Sequence, residues 1–344
     1  MTMKLLVTGG AGFIGSNFIG YILGARRDIQ VLNLDCLTYA GNLKNLADVS
    51  TDSRYSFFKG DITSRQDVAH CLSQGIDTVI NFAAETHVDR SILDSSVFVR
   101  TNVEGVQVLL EACRQEKVSR FIQVSTDEIY GSLDEEGQFT EESPYAPNSP
   151  YAASKAAADL LARSYQRTYG LDIIVTRCCN NYGGHQFPEK LIPLMVLNAL
   201  ENKPLPVYGD GLNARDWIHV KDHCRALECV MMEGQSGRIY NIGSDQEKQN
   251  LDVIHQILEI LGKSRDLIQF VADRPGHDRR YAIDATRLHT ELGWQPKIQF
   301  EEGLAQTVKW YSQNTEWVEG VRSGSYLSYY QQMYEDRDQT LSRL

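Results

Sequence analysis

Residues 4–15 read KLLVTGGAGFIG, and this stretch decides the fold. Lys4–Thr8 is a short apolar run that stops at Gly9-Gly10, and a helical pattern follows to about Leu23. Between them the glycines fall as Gly9-x-x-Gly12-x-x-Gly15. Glycines at that spacing let the backbone turn sharply and approach a pyrophosphate, whose charge then rests on the helix N-terminus. A glycine pattern alone is weak, but this one has the strand–turn–helix context that dinucleotide binding demands. The next strand, Val31–Asp35 (VLNLD), ends on a carboxylate 20 residues after Gly15. A carboxylate there accepts both ribose hydroxyls of an adenosine and repels a 2′-phosphate, which favours NAD over NADP.

Further short apolar runs continue the alternation: Tyr55–Lys59, Asp77–Phe82, Phe121–Ser125 and Asp172–Thr176. Helical periodicity separates them, over Val99–Glu116 and Tyr151–Tyr169 in particular. Apolar strands alternating with helices predict a parallel sheet covered on both faces. The expected class is therefore α/β, a Rossmann-type doubly wound parallel sheet with a smaller, mixed α/β lobe. Residues 1–180 are assigned to the NAD-binding domain and 181–330 mainly to the second lobe, partly interleaved with the first. In that lobe Pro188–Ala199, Lys221–Glu233 and Asn250–Leu261 read as helices, and Leu205–Tyr208 and Arg238–Ile242 as short strands. The acidic, turn-rich segment 133–150 is expected as a surface loop near the site. The tyrosine-rich tail, 331–344 with the residues just before it, is expected to pack on the body.

The 344 residues carry 34 Lys and Arg against 45 Asp and Glu, a formal charge of −11. That balance argues against broad nucleic-acid binding, which needs a basic field, yet leaves room for one anionic ligand held by local arginines. No run of 18 apolar residues occurs, so no membrane span is expected. The start, MTMKLLVTGG, lacks the pattern of a signal peptide. Seven cysteines (Cys36, Cys71, Cys113, Cys178, Cys179, Cys224 and Cys229) are scattered and form no CxxC pair. Reduced thiols in a cytoplasmic protein, with no metal site, are the expectation.

Tyr151-Ala-Ala-Ser-Lys155 places a phenol and an ammonium on one helix face. A neighbouring ammonium, and a positive nicotinamide, both favour phenolate. Lowering a tyrosine pKa from about 10 to near 7 takes roughly 4 kcal/mol and yields a base for a sugar hydroxyl. Thr126, at the end of a strand, would hold the substrate oxygen. Asp127 and Glu128 follow it directly. Two acids at that spot suit a reaction that removes one proton and delivers another. Asp61-Ile62 and Ala83-Ala84 fall after strands in register with the glycine turn, where an adenine edge and a close-passing cofactor would lie.

With these motifs the chain resembles the extended short-chain dehydrogenase/reductase superfamily and, within it, the dTDP-glucose 4,6-dehydratase family. The resemblance runs nearly the whole length, to about Trp310. It rests on LTYAGN (37–42), HVDRSI (87–92), TDEIYG (126–131), PYAASK (150–155), NNYG (180–183), FPEKLIP (187–193), YGDG (208–211), RDW (215–217), YNIG (240–243) and DRPGHDRRYAID (273–284). It implies Tyr151 as the oxidation base, Asp127 as general acid and Glu128 as general base. It implies NAD contacts from Phe13, Ile14, Asp35, Cys36, Leu37, Thr38, Asp61, Ile62, Ala83, Ala84, Thr101, Tyr151, Lys155 and Asn181. Substrate contacts are implied for Thr86, Thr126, Asn180, Lys190, Leu191, Pro206, Val207, Tyr208, Arg215, Asn250, Asp273, Arg274, Pro275, Gly276 and His277. Arg215 suits a diphosphate clamp, since guanidinium matches phosphate oxygens bidentately; read alone it would be a surface ion pair with Asp216 or Asp210. The family is typically a homodimer joined through helices that fall here at about 99–116 and 151–169.

The implied activity is NAD-dependent dehydration of dTDP-glucose to the 4-keto-6-deoxy sugar nucleotide, a lyase reaction. A nucleotide-sugar 4-epimerase, a 4,6-dehydratase for UDP-glucose and a non-catalytic dinucleotide sensor are the alternatives. The acid pair argues against the epimerase, and an intact Tyr151–Lys155 pair against the sensor. Four positions depart from the family's usual pattern: Gly184-His185 where Pro-Tyr is usual, Cys179 where serine is common and Arg177 where asparagine is common. They fall near Asn180 in sequence and bear on sugar or nucleotide preference.

Overall fold

The computed structural model describes residues 2–322 together with Tyr326, Tyr330 and Gln331. The strands are β1 (Met3–Thr8), β2 (Ile29–Asp35), β3 (Tyr55–Lys59), β4 (Thr78–Asn81), β5 (Arg120–Thr126), β6 (Ile173–Cys178), β7 (Asn180–Tyr182), β8 (Leu205–Tyr208), β9 (Ala214–His219), β10 (Ile239–Ile242), β11 (Glu247–Gln249) and β12 (Ile268–Val271). In β1, Leu5 and Val7 enter one apolar core while Leu6 enters another on the opposite face. That is the period of two of a strand buried on both sides.

Seven strands form one parallel sheet in the order β3-β2-β1-β4-β5-β6-β10. The expected doubly wound sheet is thus present. Its order reverses between β1 and β4, which opens a crevice at the carboxyl ends of the strands. The helices Phe13–Ala25 and Val220–Glu233 cover one face through Phe18, Ile19, Ile22, Leu227 and Val230. Arg65–Leu72, Val106–Glu116 and Pro150–Tyr169 cover the other through Val68, Leu109, Ala158 and Ala162. A third core joins the helices Leu191–Leu200, Asn250–Leu261 and Phe300–Gln313 to β8 and β9. Beside it lie a mixed sheet, β11-β9-β7, and the parallel pair β12-β8.

The helix that carries Tyr151 and Lys155 is well delimited. Ser149 caps it by accepting from Ala152 N at 3.1 Å, Pro150 opens its first turn, and Gly170 closes it at φ +70°.

Four readings shift. The helix expected over 99–116 begins as a wide π-type turn, Val99–Gly105, before the α-helix Val106–Glu116. Asn102 lies in that turn and bonds both Glu85 backbone groups and Ser154 Oγ, which carries the turn toward the cavity floor. The helix expected from Pro188 starts at Leu191, because Lys190 stays extended and sends its Nζ back to Thr86 O at 2.8 Å. β10, read with the second lobe, pairs with β6 in the main sheet. β9 (ARDWIH) gave no strand signal because buried Arg215 and Asp216 interrupt its apolar run. Of the tail region, Tyr326 is buried edge-on to Phe187 and Tyr330 OH accepts from Asn198 Nδ2 at 3.1 Å. The rest of 332–344 lies outside the described residues.

Candidate active site

The glycine turn sits at the crevice and tolerates backbone alone. Gly9 has φ +67°, and a Cβ there would stand 2.6 Å from Ala83 N. One on Gly15 would stand 2.4 Å from Gly9 O. At Gly12 an added Cβ would meet only Gly9 O, at 3.3 Å. Gly12 precedes Phe13 with no side-chain cap on the helix, so the N-terminus remains available to an anion. Asp35 fixes the neighbouring loop by accepting Ala11 N at 2.9 Å and Leu37 N at 2.8 Å. Each carboxylate oxygen keeps a second lone pair for a ribose hydroxyl. The residues present therefore fit a dinucleotide.

One cavity of about 330 Å³ runs from this turn to the acid pair. It is lined by Gly9, Gly12, Phe13, Ile14, Gly15, Asp35, Cys36, Thr38, Asp61, Ile62, Ala83, Ala84 and Thr101, all of them residues that the sequence assigned to the cofactor. Thr86, Thr126, Asp127, Glu128, Tyr151, Lys155, Asn180, Asn181 and Lys190 continue the lining. Leu37, at φ +57°, is not part of that lining. Leu191, Pro206, Val207, Tyr208, Arg215, Asn250 and the segment Asp273–His277 lie outside that lining.

Those outer residues form a second, charged layer. Arg274 donates to Asp89 Oδ1 and Tyr208 OH to Asp89 Oδ2, each at 2.9 Å. Burial opposes ionisation of Asp89, but Arg274 and His87 hold its carboxyl down at about 2. His277 Nδ1 lies 2.6 Å from Asp273 Oδ1, and burial with the Arg274 and Arg215 charges pushes the imidazole down to about 4. Arg215 is buried, donates to Ala214 O and Asp278 O at 2.8 Å, and lies 4.2 Å from the Tyr281 ring centre. It pairs with neither Asp216 nor Asp210: Asp216 accepts from Ser244 and Gln246, and Asp210 pairs with Arg279. The reason is its place on β9, which turns its side chain inward.

The two acids differ in their surroundings. Asp127 is 1% exposed, its Oδ2 has no hydrogen-bond partner, and burial followed by Glu128 and Asp216 raises its carboxyl well above the usual range. Burial raises Glu128 too, but Arg274, Lys190 and Arg215 pull it back. Two adjacent carboxyls in unequal fields are the pattern of an acid beside a base. Tyr151 is held differently in the protein alone. Burial, then Glu128 and Cys178, raise its phenol well above its ordinary value, and a hydrogen bond with Thr126 works the other way. Lys155 Nζ donates to Val124 O at 2.7 Å, and burial lowers its ammonium. In the protein alone, burial first and the Glu128 charge second therefore disfavour the phenolate of Tyr151.

Sequence reading missed two acids that organise the site. Asp89 gathers Arg274 and Tyr208. Glu189 lines the cavity and accepts from Tyr39 OH at 3.1 Å and Arg90 Nε at 2.9 Å, tying the loop after β2 to residue 189. Both fall inside quoted motifs, HVDRSI and FPEKLIP, which was the available signal. His185, expected near the substrate, turns away instead. At φ +69° its ring meets Trp310 at 4.9 Å, and Asn17 Nδ2 holds the Gly184 carbonyl at 3.1 Å. It lines a separate cavity of about 490 Å³ with Asn17, Asp48 and Lys221.

Residues 6–307 match the model of the GDP-mannose 4,6 dehydratase family. A dTDP-glucose 4,6-dehydratase of Shigella flexneri is 51% identical over 97% of this chain and 100% of that protein. The chain belongs to the dTDP-glucose 4,6-dehydratase family. The dehydratase of Streptomyces venezuelae, solved with NAD bound, superposes with a TM-score of 0.91 at 51% identity, covering 93% of this chain and all of that one. A UDP-glucose 4-epimerase of Thermus thermophilus, also solved with NAD, shares the fold at a TM-score of 0.84 but only 31% identity, over 91% of this chain and 100% of that one. Against this dehydratase family, the departures at 184–185 fall outside the cavity, whereas Cys179 lies on its lining.

Proposed function

We propose that the chain is a hydro-lyase that converts dTDP-glucose to dTDP-4-keto-6-deoxyglucose with NAD as its recycled cofactor. The observation that carries this reading is the Asp127–Glu128 pair, in unequal fields, within one cavity with Tyr151 and the glycine turn. Residues 1–180 supply the cofactor side and 181–330 mainly the sugar-nucleotide side. Bound NAD supplies the acceptor for the C4 hydride and the donor for its return to C6, and its positive ring offers Tyr151 the charge that the protein alone withholds.

Tyr151 takes the proton of the 4-hydroxyl while Thr126 holds that oxygen and Lys155 anchors the helix face below. Oxidation at C4 makes the C5 proton acidic. Glu128, kept ionisable by three cations, removes it. Asp127, kept protonated by burial and like charges, delivers a proton to the departing 6-hydroxyl. Glu128 then returns a proton to C5. Arg215, Arg274 and Lys190 are the cations proposed to meet the diphosphate. A simple epimerase has no use for the acid pair, and identity to the epimerase is lower. The dTDP base, rather than UDP, follows the relatives at about half identity.

A homodimer through 99–116 and 151–169 is proposed as well, supported by the exposed apolar side chains of Val99, Leu160 and Tyr169 on those segments. The seven free cysteines suit a reducing, cytoplasmic setting. No helix among the described residues is long and apolar enough to cross a membrane.

Isotope labelling tests the reading. Substrate deuterated at C4 gives product deuterated at C6, and unlabelled substrate in heavy water gains deuterium at C5. An epimerase returns the label to C4 and keeps the 6-hydroxyl. Label absent from C6 refutes the dehydratase assignment, and parallel turnover of UDP-glucose decides the base.

A further inference from the structure

Arg177 stands at a position where asparagine is common in the family resemblance, and it is 1% exposed. It lies on β6, between Ser125 of β5 and Asn241 of β10 in the sheet register. It does not line the cavity. Its guanidinium instead reaches the two elements that carry the proposed chemistry. Nε donates to Asp159 Oδ2 at 3.1 Å, and Asp159 is on the Pro150–Tyr169 helix, on the face of Tyr151 and Lys155. Nη1 donates to Tyr130 OH at 2.8 Å, and Tyr130 closes the short 3₁₀ turn Asp127–Tyr130. Tyr130 OH passes the link to Asn241 Oδ1 at 2.8 Å. Nη2 donates to Tyr145 OH, and the Tyr130 and Tyr145 rings flank the guanidinium at 4.8 and 4.7 Å.

We propose that Arg177 is a positioning residue that fixes the Asp127–Glu128 turn against the Tyr151–Lys155 helix, so that oxidation and elimination act on one sugar pose. The inference rests on the proposed dehydratase activity. An asparagine is too short to reach Asp159, Tyr130 and Tyr145 together, and a lysine lacks the planar fork that does so. Charge adds to the geometry. Burial pushes the Asp159 carboxyl up and Arg177 opposes it; Asp159 in turn, with Cys178, opposes the lowering of Lys155 by burial.

The test separates the two half-reactions in single turnovers of the holoenzyme. Bound NADH absorbance reports C4 oxidation; deuterium at C5 and loss of water report elimination. Tyr130→Phe removes one hydroxyl and frees the turn alone, so elimination falls by up to about 10²-fold relative to oxidation, as a displacement near an ångström can cause. Arg177→Asn slows both steps and shifts their ratio the same way. Arg177→Lys, which keeps the charge beside Asp159, restores oxidation more than elimination. Variants that fold but lose both steps equally, or neither, show Arg177 to be packing only and overturn the proposal. If Arg177→Asn does not fold, Tyr130→Phe decides. A wild-type chain that eliminates no water from dTDP-glucose fails the proposed function itself, separately from the role of Arg177.

Discussion

The two sides of the cavity are built by opposite means. On the cofactor side the walls are what the backbone leaves open: Gly9, Gly12, Gly15, Ala83 and Ala84 at the ends of β1 and β4. On the side proposed for the sugar nucleotide, Lys190 lines the cavity while Arg274 and Arg215 lie outside its lining, and all three are held by a buried acid or by carbonyls. The first side is set by close approach and has no slack for an added atom at Gly9 or Gly15. The second is set by charge and can be retuned by moving one partner.

The sharpest break of this contrast is Gly15→Val. Its Cβ would stand 2.4 Å from a backbone oxygen, which cannot step aside. Complete loss of NAD from the purified protein is expected, whereas Gly12→Ala, facing only a 3.3 Å contact, retains the cofactor with weaker affinity. Cofactor content measured after denaturation checks both, and NAD retained by Gly15→Val breaks the contrast.

Next in size are the acids. Glu128→Gln and Asp127→Asn are expected to slow water elimination by about 10²–10⁴ while bound NAD is still reduced by substrate. Tyr151→Phe stops that first reduction. Wild-type elimination by Glu128→Gln ends the acid–base assignment.

Asp89→Asn sharpens the charged side. It removes the anion that holds Arg274 and Tyr208 together. A rise in substrate KM of about tenfold is expected, near 1.4 kcal/mol, with NAD content unchanged. Thermal or denaturant unfolding should show a further loss of about 1–3 kcal/mol, since a partly buried cation is left without its carboxylate. An unchanged KM would detach Asp89 from substrate binding.

The smallest effect is on pH stability. His223 is fully buried, its Nδ1 lies 2.8 Å from Asn181 Oδ1, and burial lowers it to about 3. A folded-state value below the unfolded one means the stabilisation is whole above about pH 6.5 and is lost as pH falls toward 3. The melting temperature should therefore begin to drop below pH 6.5, above the carboxylate range, and His223→Gln should flatten the drop. A pH profile identical in both proteins refutes it.

How much of this was legible follows the same divide. The glycine turn, Asp35 and the Tyr151–Lys155 helix announce themselves because a local spacing encodes each one. The sheet follows from apolar runs that need no partner to be recognised. Asp89 and Glu189 do not, because each acts between segments far apart in the chain, and the Asp159–Arg177 pair does not, because it joins a helix to a strand at no local spacing. β9 hid for a related reason: its buried charges read as surface. The setting of the Tyr151 phenol is only half legible, because the spacing to Lys155 is visible in sequence while burial and the field of Glu128 are not.

The place of β10 has a consequence for how the chain is made. The sheet's last slot beside β6 is filled by residues 239–242, after the strand β9 and the helix Val220–Glu233 have been synthesised. Until Ile242 has left the ribosome, β6 presents an unpaired hydrogen-bonding edge, the kind of surface that invites association with other nascent chains. A fragment ending near residue 180 would keep that edge permanently, so the cofactor half is completed in folding only by a segment that arrives after much of the other half.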